Sequence, residues 1–584
     1  MADKHDVLQV LASYKDEAVS ARLVGDRPRD DVWRENWNLY WGVHDWEGKA
    51  DWQSRLAMPE AANFVDRWSA AMREALISAG RWFVVEDPKD PDRQLVPHIE
   101  KLMDYLLGRC GRTPQGHVIA FPAVFEDLMK IGSLMQCAAA VTWDEVGRFV
   151  SVEAVDPRLV WLDPTGRGQY RMRRSEIDKH ALLSMAAVTL GDDGESLYNV
   201  SEIEQLSALV SEQERQAREA SAAHSSDTTS TRKPITLDEY LANIVLEDGT
   251  VVGENQVVVV ANDRFIIRGP EDNPWWHGQD WLVTAPMVTV PFSVYGKSYM
   301  EDWSSVAYAF TEMSNLVMDA AVVQAMKSFA VQANALSDTQ QLGQSLEPLK
   351  MYLLEDGRLP REFIAEIDMG TLGPEVLSVW EALKSEMREG AKLNEIALGQ
   401  MAPSAGTTAT EIQQTQQSSS AVVRSIARTV EERLLEPVLT LMWATALQHL
   451  DFESPEVQSH IGPDAAGMLA ARREEFLGEG VTFRVRGISA MVDRQAKLRN
   501  MLSMLQVVAS NEALMQAFMN RFSVEKVLDQ LVQQFGVDPT EMEPTALERL
   551  MATVTAPANG AGQEAVAGDP PAIPDVDAGG QSLF

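Results

Sequence analysis

A phosphate-binding loop would be the most consequential chemistry this chain could carry. The place to look is Tyr295-Gly296-Lys297-Ser298, which ends in Gly-Lys-Ser. Nucleotide binding needs a second glycine five residues before that Gly-Lys pair, so that successive backbone amides can cradle phosphate oxygens. Pro291 stands there, and Phe292-Ser293-Val294-Tyr295 fills the interval. A proline and two aromatics do not make a flexible amide cradle. The same residues are good helix-start signals. Gly296 supplies a turn, Ser298 is an expected N-cap, and Glu301 holds the capping-box position for a helix over 299–327.

Other catalytic chemistry leaves no trace. The nine histidines, at 5, 44, 98, 117, 180, 224, 277, 449 and 460, form no His-x-x-x-His or Cys/His cluster. Cys110 and Cys137 are too few for a disulfide framework or a zinc site. They read as small buried hydrophobes in a helix and at a helix end. There is no Gly-x-Ser-x-Gly elbow, and no carboxylate pair stands out from ordinary solvated faces. No cofactor, no metal and no enzymatic activity are expected.

One charged stripe is the remaining candidate. Lys384, Arg388 and Lys392 recur every fourth residue of a helical pattern and so share a face. Val376, Trp380, Leu383 and Met387 make the adjoining apolar face. Such a stripe is either a solvated face balanced by Glu381, Glu386 and Glu389, or, repeated by symmetry, rings of positive charge that touch a phosphate backbone without reading bases. The chain as a whole is acidic, with 51 basic and 86 acidic residues and a net charge of −35. A simple nucleic-acid binder is basic. The acidity fits solubility, or a surface that lets DNA pass without gripping it.

The elements that must position these residues follow from periodicity. With 45% hydrophobic residues, 584 positions support several cores. Residues 1–80 read as helices, including one over 59–77 and an aromatic cluster of Trp33, Trp37, Tyr40, Trp41, Trp46 and Trp52. That cluster is a packing cluster or a subunit interface. Helices over 95–107 and 121–135 give way to short strands at 140–143, 148–155 and 159–162, separated by Asp-Pro and Asp-Pro-Thr-Gly turns. A polar helix over 201–223 and a Ser/Thr-rich linker at 224–234 precede a hairpin series over 243–268.

The helix over 299–327 carries Val306, Phe310, Met313, Val317, Ala321 and Gln324 as one stripe. A mixed segment, 328–372, has room for one or two strands. A helix over 374–396 leads into Gly399-Gln400-Met401-Ala402-Pro403-Ser404-Ala405-Gly406-Thr407-Thr408, which is small and uncharged. Another long helix follows with Val423, Ile426, Val430, Leu434, Val438 and Leu441 inward, and Pro437 should interrupt it. A strand at 481–486, helices to about 535 and a tail at 554–584 poor in apolar anchors, hence read as disordered, complete the chain. Met-Ala-Asp-Lys-His-Asp does not open a signal peptide, and no apolar run of about 18 residues suggests a membrane span.

The Gly-x-Thr-Ala-Thr-Glu-Ile wording at 406–412 resembles the portal, or head-to-tail connector, proteins of tailed bacteriophages. Three further phrases are similar to that family: the strand phrase at 152–166, Tyr-Gly-Lys-Ser at 295–298, and the run from Phe483 to Gln506. So is the order of segments over nearly the whole chain. The resemblance implies an α+β, mainly helical fold: a helical N-terminal region and β-rich wing over 1–298, a first stem helix over 299–327, a clip over 328–372, a second stem helix over 373–398, a tunnel loop over 399–408, a long kinked helix and wing return over 409–488, a helical crown over 489–553 and the tail over 554–584. It further implies a virion ring, usually a dodecamer, at the capsid portal vertex and assembled in the host cytoplasm. Double-stranded DNA would be packaged and ejected through it.

Its partners would be the terminase large subunit, the major capsid and scaffolding proteins, and a head-completion or tail adaptor protein. The DNA channel would be lined by Gln400, Met401, Ala402, Pro403, Ser404, Ala405, Gly406, Thr407 and Thr408 and by Lys384, Arg388 and Lys392. Two other classes stay open. A scaffold or internal core protein would be more uniformly helical and would lack the β segments at 140–162 and 243–293. An ATP-driven packaging enzyme needs the phosphate loop that Pro291 breaks.

Overall fold

The structure, a computed structural model, describes residues 4–78, 82–87, 95–113, 115–144, 147–188, 196–206, 235–246, 248–325, 328–331, 364–367, 373–390, 425–478 and 481–485. All of them belong to one compact unit, Met1–Lys497; a second unit, Leu498–Phe584, lies outside them. Also outside are the expected linker at 224–234, most of 328–372, Lys392, the loop at 399–408, and the expected crown and tail. The fold is α+β.

The N-terminal third supplies α1 (Lys4–Ala21), the short pair β1 (Leu23–Val24) and β2 (Arg27–Pro28), α2 (Arg29–Trp41), α3 (Glu60–Ser78), β3 (Phe83–Glu86), α4 (Val96–Leu107), the short pair β4 (Gly111–Arg112) and β5 (Val118–Ile119), and α5 (Phe121–Leu134). The period then changes to two. Strands β6 (Cys137–Asp144), β7 (Phe149–Ala154), β8 (Val160–Leu162) and β9 (Tyr170–Ile177) lead to helices α6 (Lys179–Val188) and α7 (Val200–Gln205). After them come β10 (Ile235–Val245), β11 (Val251–Ala261), β12 (Phe265–Asp272) and β13 (Leu282–Ala285).

Two antiparallel sheets result, in the orders β12-β11-β10-β9-β8 and β13-β6-β7. The valine run of β11 is buried on both faces. Val258 and Val260 join Val7, Val10 and Leu11 of α1, while Val259 and Ala261 join Leu182, Ala186 and Ile203 from α6 and α7. A strand covered on both sides reads as an unbroken apolar run, which explains the absence of alternation there.

Strand β9 was not expected, because its sequence is Tyr-Arg-Met-Arg-Arg-Ser-Glu-Ile. Its charges have specific partners. Arg174 stands directly across from Asp238 of β10, and its guanidinium donates to both carboxylate oxygens at 2.7 Å. Lys15 of α1 reaches the same Asp238 at 3.2 Å and also contacts Asp263. This cluster ties α1 to the sheet.

The large core gathers α3, α4, α5 and the three-stranded sheet with the later helices. These are α8 (Ser304–Ala325), α9 (Pro374–Gly390), helix 425–430, and α10 (Glu436–His449), α11 (Pro455–Ile461), α12 (Pro463–Ala471) and α13 (Arg473–Gly478). Between α8 and α9, β14 (Ser328–Val331) pairs antiparallel with β15 (Ile364–Ile367), inside the segment expected to hold one or two strands. The last strand, β16 (Thr482–Val485), returns to β3, with Phe483 opposite Val85.

Of the expected inward stripe, Val423 lies outside the described residues, and Ile426, Val430, Leu434, Val438 and Leu441 are all buried. The interruption before Pro437 is a π-helical turn, Glu431–Leu435. Proline lacks the amide that would bond the carbonyl four residues back, and a widened turn ahead of it absorbs the mismatch.

Candidate functional site: the helix pair and its supports

Helix α8 begins at Ser304, five residues later than the sequence suggested. Ser298 is not its N-cap; its hydroxyl accepts instead from Asn36 Nδ2 at 3.2 Å. Glu301 still behaves as a capping-box residue would, accepting the Ser298 amide at 3.0 Å. Together they form a tight corner.

Tyr295 is buried against Trp33, and its hydroxyl accepts from the Leu162 amide at 3.2 Å. Lys297 pairs with Asp302 at 3.0 Å. Gly296 has φ +62°, and a Cβ there would lie 2.5 Å from Pro286 and 2.6 Å from the Val288 carbonyl. The Gly-Lys-Ser phrase is therefore a packed corner rather than an anion cradle. Gly296→Ala is expected to destabilise the fold by about 1–3 kcal/mol from backbone strain alone, before the clash. A thermal melt against wild type measures it, and an unchanged melting temperature would mean the corner can open freely.

The inward face of α8 differs from the expected stripe. Phe310 is buried, but Val306, Met313 and Val317 are only half-buried, and Ala321 and Gln324 are exposed. The buried positions below Phe310 are polar: Thr311, Ser314, Asn315 and Asp319. Asn315 and Asp319 are held by the segment between α2 and α3, which runs along the helix, and Ser314 by Trp380 of α9. Asn315 Oδ1 accepts the Leu56 amide at 2.8 Å, and its Nδ2 donates to the Leu56 carbonyl at 3.0 Å. Asp319 accepts the Ser54 amide, and Lys49 pairs with Glu312 at 3.2 Å. A buried polar side chain that satisfies backbone groups in this way stabilises a loop that has no strand or helix partner of its own.

Helix α9 packs on α8 through Trp380. Its ring lies 5.5 Å from that of Phe310, and its Nε1 donates to Ser314 Oγ at 2.8 Å. Met387, two turns on, is fully buried, and Val376, Trp380 and Leu383 are half-buried, so the expected apolar face is the seam with α8. The Lys384 ammonium sits 5.0 Å over the Trp380 ring and is half-buried, whereas Arg388 is exposed. The structure thus brings two of the three basic residues to one flank of the seam.

The remaining candidates resolve simply. In the aromatic cluster Trp33 is buried, Trp37, Tyr40 and Trp46 are half-buried, and Trp41 and Trp52 are exposed. Cys110, expected in a helix, lies in the turn after α4, and Cys137, expected at a helix end, opens β6 three residues past the end of α5. Both are buried, and burial pushes each thiol up to about 12. Two histidines lie against aromatics: His449 stacks on Trp143 and His460 sits tilted against Tyr105. Burial lowers His277 to about 4. Among the described residues no group of three or more His, Cys, Asp or Glu is placed to hold a metal, and no helix is long and apolar enough to cross a membrane.

A family model described as the phage SU10 portal protein matches residues 120–548, more than two-thirds of the chain, and the chain belongs to that family. It is accordingly a phage portal protein, a head-to-tail connector of the virion. No curated protein matches the sequence.

Proposed function

We propose that copies of this chain form a closed ring, of twelve subunits, at one capsid vertex, through which double-stranded DNA is packaged and later ejected. The observation that carries this reading is the family match across 120–548, which includes the whole helix pair. In this reading α8 and α9 are the two stem helices, the segment between them is the clip, and 399–408 is the tunnel loop. Residues 1–298 form the N-terminal region and wing, 409–488 the kinked helix and wing return, and 489–553 the crown. The clip is the docking place for the terminase large subunit and then for a head-completion or tail adaptor protein, and the body meets the capsid and scaffolding proteins.

The alternatives lose ground for specific reasons. A scaffold or internal core protein was expected to lack the β segments near 140–162 and 243–293, and strands β6–β8 and β10–β13 occupy those stretches. An ATP-driven enzyme needs a cradle where the Gly296 corner is packed. Negative-stain microscopy of the purified full chain tests the reading. Rings with a central hole are expected; a uniform population of monomers across protein and salt concentrations, together with portal-free heads in infected cells, would overturn it.

A further inference from the structure

Helix α9 has two exposed flanks of opposite character. Take the seam with α8, centred on Val376, Trp380, Leu383 and Met387, as the origin. At about 100° per residue, Leu377, Lys384 and Arg388 lie about a quarter turn to one side, and Glu375, Val379 and Glu386 about a quarter turn to the other. Leu377 and Val379 are 48% and 45% exposed, large values for apolar side chains on a packed helix. Arg388, Glu375 and Glu386 are also exposed. One flank therefore carries Leu377, Lys384 and Arg388 with the exposed Glu381 at its outer edge, and the other is apolar and acidic.

The geometry points to a contact between neighbouring copies of this chain in which the Leu377–Lys384–Arg388 flank of one α9 faces the Val379–Glu386 flank of the next. It rests on the ring reading above. A ring needs a heterologous interface, in which two different patches of one chain complement each other. Rotation about the ring axis keeps each residue at its own height. For an α9 that runs along the ring axis, rising about 1.5 Å per residue, Glu386 then falls midway between Lys384 and Arg388 of the neighbour, about 3 Å from the level of each. Val379 falls about 3 Å from the level of Leu377 in the same way.

The apolar pair and the charged group thus meet in register, level by level. In a ring whose α8 stands on the outer side of α9, the two flanks point along the ring and not into the hole. The face opposite the seam, with Ser378, Ala382 and Ser385, carries no cation. Lys384 and Arg388 accordingly join subunits instead of touching phosphate.

Charge reversal in the full-length protein tests this. Wild type, Lys384→Glu/Arg388→Glu, Glu375→Lys/Glu386→Lys, and the combined four-fold variant are compared by native mass spectrometry and microscopy over a concentration series. Circular dichroism checks that each variant is folded. Each two-fold reversal is expected to raise the concentration needed for half the chains to enter rings by roughly tenfold or more, since like charges then oppose each other. The four-fold variant, with both flanks swapped, is expected to recover most of that loss.

Two-fold variants that form rings as wild type does, with only DNA passage altered, would overturn the interface and return the residues to the channel. So would a four-fold variant no better than the worse two-fold one. Wild type that forms no ring at all would refute the ring reading itself.

Discussion

Trp303→Ala is expected to cost about 3–5 kcal/mol, the range for removing a large aromatic from a packed core. Trp303 is fully buried immediately before α8. Its ring lies 5.8 Å from Phe64 of α3 and 6.0 Å from Tyr299, both edge-on. Tyr299 in turn stacks on Trp68 at 5.0 Å. The four rings join α3 to the corner from which α8 departs, so an empty site there loosens both. Domains are stable by about 5–15 kcal/mol, so a loss of this size removes a large share. The expected readout is a strongly lowered thermal transition and poor recovery of soluble protein. Trp41→Ala is the control: that ring is 58% exposed, and its removal should shift stability by no more than about 0.5 kcal/mol. Equal effects in the two variants would show that the corner is not where the fold is held.

Deleting Gln400–Ser404 is expected to spare the ring and to empty the head. The loop at 399–408 contains no charged residue. A lining that touches DNA by shape and weak polar contact holds it without the salt-dependent grip of cations. In the proposed ring, shortening the loop widens the passage and removes those contacts. The measurement is packaged DNA per head, taken alongside microscopy of the purified ring. Loss of ring and DNA together would make the segment a structural one. Full heads would mean that other residues restrain the genome.

Regular, locally determined parts of the fold were legible in the sequence. The stripe from Ile426 to Leu441 could be read because apolar positions at helical spacing face a single core. The same reasoning misplaced the inner face of α8. Thr311, Ser314, Asn315 and Asp319 look like a solvent face, and distant segments make it interior: the loop carrying Ser54 and Leu56, more than two hundred residues away, binds Asn315 and Asp319, and Trp380 of α9 binds Ser314. Strand β9 was hidden for a related reason: Arg174 is tolerable in a sheet interior only because Asp238 stands opposite it. Strand β3 is four residues long, and its partner β16 lies almost four hundred residues later.

For the candidate site, spacing alone put Lys384 and Arg388 on one face. It did not say what that face meets. Trp380 sits on the seam, and that fixed the two flanks and gave the acidic one equal weight.

The pairing of β3 with β16 bears on timing. Thr482 and Glu86, which face each other, are 396 residues apart. A ribosome adding about 5–20 residues per second needs on the order of 20–80 s between making one strand and making its partner. During that interval the edge of β3 waits, and the body of the protein stays open along one side. Val485 also donates to Glu436 at 3.1 Å, so the same late strand fastens the kinked helix. A nascent chain that has not yet reached Val485 thus lacks both the partner of β3 and the tie to the helix at Glu436.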